Sequence, residues 1–267
     1  MSAHLEAYRE RGWVRLPVCP DTAAWVQAAA PLAAEIAEDP AAKDAWLRCG
    51  GTWFAGVNIF PNAEDGSVAE RGVPPLAGSA VQFIADTLGL APDRWDKAQI
   101  SVCYPGYPQP WEGESDAAFR FRRDRDAAHV DGLLRDEARR RRPGEHHGFI
   151  LGLPLRHSAP EAAPMVVWES SHEIMRAAFR ARLGGIPPAR WAEEDVTEIY
   201  TETRRRIFET CPRVVVHAGP GEAYVVHRLA LHGVAPWQAP KGPPRAVTYF
   251  RPEPPAHLPE DWWLEGP

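Results

Sequence analysis

The sequence lacks the material for several common kinds of protein. Its four cysteines, Cys19, Cys49, Cys103 and Cys211, contain no C-x-x-C pair, and a chain of 267 residues needs no disulfide scaffold. Free thiols in a reducing compartment are expected. No apolar run approaches the roughly 20 residues of a membrane-spanning helix. The first twelve residues carry Glu6, Arg9, Glu10 and Arg11 where a signal peptide would be apolar, so a cytoplasmic location is expected. Positive charge is not in excess. The formal net charge of −6 argues against a nucleic-acid footprint over the whole surface. Internal repeats, low-complexity tracts and a clear linker are also missing.

What is present is the composition of an ordinary globular protein, 45% hydrophobic and 25% charged. The 28 prolines point to many turns between short elements. Residues 3–11 read as a short helix ended by Gly12, and 13–18 as a strand. Asp21-Thr22 is expected to cap an alanine-rich helix running to about Glu38, with Trp25, Ala29, Leu32 and Ile36 on one face. A second amphipathic helix is expected at 80–88 and a strand at 98–104. A loop rich in proline, glycine and charge should cover 105–127. Short strands follow at 148–155, 165–169, 213–217, 222–227 and 245–251, with a polar helical excursion at 172–210. Helices in front and strands behind suggest one domain on a β-sandwich or barrel, with a helical part at about 1–95 and a β core at about 96–255.

His129-Val130-Asp131 is the most informative triplet. In a strand, residues two apart share a face, so both side chains reach one ion. Alone, the pattern fits better a surface loop histidine beside a turn aspartate. His232 lies about a hundred residues on, is followed by Gly233, and is a better ligand candidate than His227. His227 reads as a group hydrogen-bonded near a metal or as plain core. Two imidazoles and a carboxylate leaving open positions suit non-heme iron, and suit zinc as well. Arg245 opens the next strand, thirteen residues after His232. An antiparallel return would set it beside the metal strand. An inward guanidinium is costly unless it meets an anion, and it matches a carboxylate with two parallel hydrogen bonds.

With these residues, the chain resembles the phytanoyl-CoA dioxygenase-like family of Fe(II)/2-oxoglutarate-dependent oxygenases. The likeness is carried by Tyr8-Arg9-Glu10-Arg11-Gly12-Trp13-Val14-Arg15-Leu16, by His129-Val130-Asp131, by Val166 to His172, by His227 to Gly233 and by Arg245. It implies a mainly β fold with flanking helices, a double-stranded β-helix or cupin-like jelly roll with helices packed on one sheet. His129, Asp131 and His232 would bind Fe(II), and Arg245 would hold the far carboxylate of 2-oxoglutarate. Dioxygen and a small-molecule substrate would complete the reaction, with succinate and carbon dioxide released. Aspartate at 131, where related halogenases have glycine or alanine, favours hydroxylation. The serine that follows the arginine in some relatives is replaced by Val247, leaving Thr248 or Tyr249 to serve. Tyr104 is a further candidate for the 2-oxoglutarate pocket.

Arg120, Arg122, Arg123 and Arg125 precede the triplet, and Arg135 and Arg139 to Arg142 follow it. They read either as solvated surface balanced by Asp124, Asp126, Asp136 and Glu137, or as a basic rim attracting an anionic substrate. Trp111, Trp168 and Trp237 are candidates for a pocket lining or for core. Trp262-Trp263 is expected to pin the C-terminal tail. The rival readings are a zinc hydrolase or isomerase of cupin type, for which Arg245 has no use, and a small-molecule binder without catalysis. Nucleic-acid binding through the arginine-rich loops is disfavoured by net acidity. Substrate identity and oligomeric state are not specified by these residues.

Overall fold

A computed structural model describes residues 3–266. The chain runs α1 (Ala3–Arg11), β1 (Trp13–Leu16), α2 (Pro20–Glu38), α3 (Pro40–Trp46), β2 (Leu47–Arg48), β3 (Trp53–Gly56), α4 (Ser79–Gln82, prolonged by a π turn over Phe83–Thr87), β4 (Gln99–Cys103) and α5 (Asp116–Asp124). It continues through β5 (Leu133–Arg135), β6 (Arg141–Pro143), β7 (Phe149–Pro154), β8 (Met165–Trp168), α6 (Ser171–Leu183), α7 (Thr197–Thr210), β9 (Arg213–Val216), β10 (Ala223–His227), β11 (His232–Val234), β12 (Arg245–Phe250) and α8 (Trp262–Glu265). No helix among the described residues is long and apolar enough to cross a membrane.

The large sheet has the order β1-β10-β7-β12-β4-β3-β2, and the small sheet β11-β8-β9. His129 pairs with His232 and adds its own segment to the free edge of the small sheet. From β4 onward the chain passes repeatedly between the two sheets, which is the winding of a double-stranded β-helix. The expected strand at 13–18 is β1, and β1, β2 and β3 of the front segment extend the large sheet.

Alternation along the strands sorts side chains into layers. On the large sheet, Ile100, Val102, Phe149, Leu151, Leu153, Ala223, Val225 and Phe250 face the helical layer of α2 and α4. Ile150, Tyr224, Val226, Val247 and Tyr249 face the small sheet, where they meet Met165 and Val167. The expected helical layer on one sheet is therefore present. A second layer is added, in which Met175, Phe179 and Leu183 of α6 and Tyr200 and Ile207 of α7 pack against Val166 and Trp168. The 172–210 excursion thus has an apolar face of its own.

Two local expectations are corrected. The residue capping α2 is Cys19, without a side-chain hydrogen bond, and Pro20 opens the helix. Proline at the first helical position needs no amide partner and is already set at a helical φ, so it starts the helix ahead of Asp21-Thr22. The 105–127 loop contains α5, capped by the Ser115 side chain on the Ala118 amide.

Candidate metal centre

His129, Asp131 and His232 converge, with one ligand atom from each lying within 4.8 Å of the others. His129 sits in a single bridging pair, not a full strand, and the chain turns at Asp131. The side chains still meet because the bridge places His129 directly against His232. Gly233 permits this approach, since a Cβ there would lie 2.2 Å from the Asp126 carbonyl oxygen.

Hydrogen bonds fix how the rings are used. Nδ1 of His129 lies 2.9 Å from the Ala127 carbonyl, and Nδ1 of His232 lies 3.0 Å from the Ala230 carbonyl. A carbonyl only accepts, so each Nδ1 carries a hydrogen and each ring turns its Nε2 inward. Those Nε2 atoms stand 3.1 Å and 3.6 Å from the two carboxylate oxygens of Asp131. Burial pushes the His232 ring down to about 4, although Asp131 pulls the other way, so the ring is neutral near pH 7. Burial opposes ionisation of Asp131, but the Arg251 guanidinium beside it leads the opposing influences, and the carboxyl is held well below its usual range. Two inward Nε2 atoms and a carboxylate are donors that a divalent cation takes together. The donor set therefore fits a divalent metal.

The exposures of the ligands differ. The side chain of His129 is 42% exposed and that of His232 is 8% exposed. The site thus opens on the His129 side, into a wide cleft also lined by Trp111, Arg141, Arg204 and Arg251.

Arg245 does not lie beside the metal strand as the simple hairpin return predicts. It opens β12, between β4 and β7 of the large sheet. The two sheets nevertheless bring it to the same interior. Val247 and Tyr249 share its face and pack against Val167, and Val167 is the register partner of His232. Arg245 is buried and donates to the hydroxyls of Tyr249 at 3.1 Å and Tyr224 at 3.4 Å, while its Nη1 has no hydrogen-bond partner among the described residues. Burial disfavours its charge, yet the neighbouring Tyr249, Tyr224 and Cys103 leave it raised above the usual arginine value. Tyr224 and Tyr249 join at 3.0 Å over Gly152, their common neighbour in register. A Cβ at 152 would lie 2.2 Å from the Tyr224 ring, so only glycine leaves that ring its place.

Other candidates fall elsewhere. Tyr104 continues the face of Ile100 and Val102 and packs beneath α2, away from Arg245. Thr248 also faces the helical layer, because its neighbours Val247 and Tyr249 point inward, so Tyr249 and not Thr248 accompanies Arg245. His227 is a core residue, with Nε2 2.9 Å from Arg176 and rings of Tyr8 and His172 against it. Trp168 packs in the core on Phe208, Trp237 is half-buried, and Trp111 lies in the cleft under Arg122. Trp262 and Trp263 are buried, as expected for a pinned tail.

Sequence reading missed Arg251. Its Nη1 donates to Oδ2 of Asp131 at 3.2 Å, and its Nη2 donates to the Gln99 side-chain oxygen. The signal was the alternation of β12, which puts 245, 247, 249 and 251 on one inner face.

No family model and no curated protein matches this chain. Solved structures do. AviO1 from Streptomyces viridochromogenes Tue57 is 15% identical, with 96% of each chain covered and a TM-score of 0.52. The epimerase SnoN, solved with Fe3+, alpha ketoglutarate and nogalamycin RO, is 17% identical, with 93% of this chain and 82% of that chain covered and a TM-score of 0.52. EvdMO1 is 19% identical at a TM-score of 0.51, with 93% of this chain covered but 49% of that one. At these identities the likeness establishes a shared fold.

Proposed function

We propose that the chain is an Fe(II)/2-oxoglutarate-dependent dioxygenase that hydroxylates a small-molecule substrate. The observation that carries this reading is the pairing of two features on one interior: a preorganised His129–Asp131–His232 donor set and the buried, carboxylate-free guanidinium of Arg245. A hydrolytic zinc site has no use for the second feature.

His129, Asp131 and His232 would hold the metal. Arg245, flanked by the Tyr224 and Tyr249 hydroxyls, would hold the far carboxylate of 2-oxoglutarate, a guanidinium and a phenol being suited to that anion. When bound, iron would let dioxygen act as the four-electron oxidant, with one oxygen atom going to succinate as 2-oxoglutarate loses carbon dioxide and the other to a substrate C–H bond. The protein's residues do the positioning. The Ala127 and Ala230 carbonyls keep the two Nε2 atoms aimed inward. Arg251 orients the Asp131 carboxylate. Ile150, Met165, Val167, Val226 and Val247 form the dry interior around Arg245. Substrate would enter from the cleft, where His129 is exposed.

The iron-loaded protein should convert 2-oxoglutarate to succinate slowly without substrate, and Asp131→Ala should abolish that turnover. Succinate formation at the same rate in Asp131→Ala would contradict the proposal.

A further inference from the structure

We propose that the cleft beside His129 binds its substrate through a multiply charged oxyanion, a phosphoryl group, held by Arg135, Arg141 and Arg204. The identity of the bound group follows from these arginines alone. That it belongs to the substrate of an oxidation rests on the reading above.

Several arginines in or beside the cleft are paired with acids. Arg122 bridges to Glu114, Arg140 and Arg142 to Asp136, and Arg251 to Asp131. Arg135, Arg141 and Arg204 make no ion pair with a carboxylate among the described residues. The charged neighbours acting on Arg141 are Arg135 and Arg204, both of like sign.

The fold gathers these three residues. Arg135 and Arg141 stand directly opposite each other across the β5–β6 ribbon, a position where like charges destabilise a strand pair. The Arg141 guanidinium lies 4.8 Å from the Tyr200 ring, and Arg204, one turn along α7, lies 5.2 Å from the same ring and 4.5 Å from that of Phe121. All three line the cleft that contains His129 and Asp131. The cluster is tied to the backbone on either side of His129. Arg204 donates to the Ala128 carbonyl at 3.4 Å, and the Tyr200 hydroxyl accepts from the Val130 amide at 3.3 Å.

Three guanidiniums held together without a counter-charge repel one another, and a bound anion relieves that repulsion. Their forked donors suit tetrahedral phosphate oxygens. Thr197 and Thr201 lie on the same side of α7 and also line the cleft. The local charge exceeds what one carboxylate would balance and matches a phosphate monoester. An aromatic or aliphatic body attached to that phosphate would then lie toward His129.

The test is calorimetric titration of the full-length protein with phenyl phosphate, benzoate and inorganic phosphate. Phenyl phosphate should bind more tightly than the other two. Arg141→Gln and Arg204→Gln should each weaken it about tenfold or more, the worth of a charge-assisted hydrogen bond. Arg135→Gln, at an exposed position, should weaken it severalfold. Unchanged affinity in Arg135→Gln and Arg141→Gln would overturn the proposal, as would benzoate binding as tightly as the ester. Inorganic phosphate binding as tightly as the ester would overturn the substrate assignment. Iron and 2-oxoglutarate binding is measured separately on the same variants. Arginine-dependent ester binding without a cosubstrate site would keep the anion site and discard the oxygenase reading. A cosubstrate site without ester binding would do the reverse.

Discussion

Arg251 donates from Nη1 to Oδ2 of Asp131 across 3.2 Å, from the residue just past the strand that Arg245 begins. One strand face thus carries both a guanidinium that steadies a metal ligand and a guanidinium placed for an anion. Outer partners of metal ligands set their orientation, and their loss typically costs about 10- to 100-fold in metal affinity. Arg251→Met should weaken Fe(II) or Co(II) binding by that order while the circular dichroism spectrum is retained. Wild-type metal affinity in this variant would remove Arg251 from the site.

Gly152 leaves room for the Tyr224 ring, and through it for the Tyr224–Tyr249–Arg245 chain of hydrogen bonds. Gly152→Ala should cost about 1–3 kcal/mol by overpacking and should weaken 2-oxoglutarate binding. Urea unfolding reads the first effect. Adding Tyr224→Ala to Gly152→Ala should cost less than the sum of the single changes, because the clash is then gone. Simple additivity would contradict the contact.

Much of this was readable from the sequence, and for physical reasons. Strands β7, β10 and β12 were legible as short apolar runs because each is buried on both faces, between a helical layer and the sheet interior. His129, Asp131, His232 and Arg245 stood out because a ligand set and an anion anchor need those side chains in that order. Tyr104 was misplaced because which face of β4 turns inward is set by pairing partners far along the chain. Thr248, an odd number of residues from Arg245 on one strand, was already placed on the opposite face by alternation. Arg251 went unnoticed because its partners, Asp131 and Gln99, are 120 and 152 residues away. The anion cluster was hidden among arginines that look alike in sequence and differ only in whether Asp136, Glu114 or no acid faces them.

The pH dependence of stability has two opposing parts. His232 falls from 6.5 to about 4 on folding, so its contribution is full above pH 6.5 and is lost as pH drops toward 4. Asp96 is raised from 3.8 to about 6 by burial, so its contribution is full below pH 3.8 and is lost as pH rises through 6. Between pH 4 and 6 the two partly cancel. Asp96→Asn keeps an acceptor for the Arg251 amide and removes the titration. The metal-free variant should therefore gain stability more steeply than wild type from pH 4 to 6.5 in urea titrations. Parallel curves would contradict this.

The C-terminal segment walls the cleft and is tied down by Arg228, which donates to the carbonyls of Trp262, Trp263 and Gly266 and stacks at 3.9 Å on the Trp262 ring. Arg228→Met should cost about 2–4 kcal/mol, several bonds to a charged donor being lost. Limited proteolysis should then cut within 252–261 first. Wild-type resistance there would argue against the anchor.

The most direct test of the central claim is anaerobic addition of Fe(II) and 2-oxoglutarate, followed by visible absorption. A weak charge-transfer band should form in wild type, vanish in His232→Ala, and require much higher 2-oxoglutarate in Arg245→Ala. No band in wild type, with tight zinc binding at the same residues, would contradict the account.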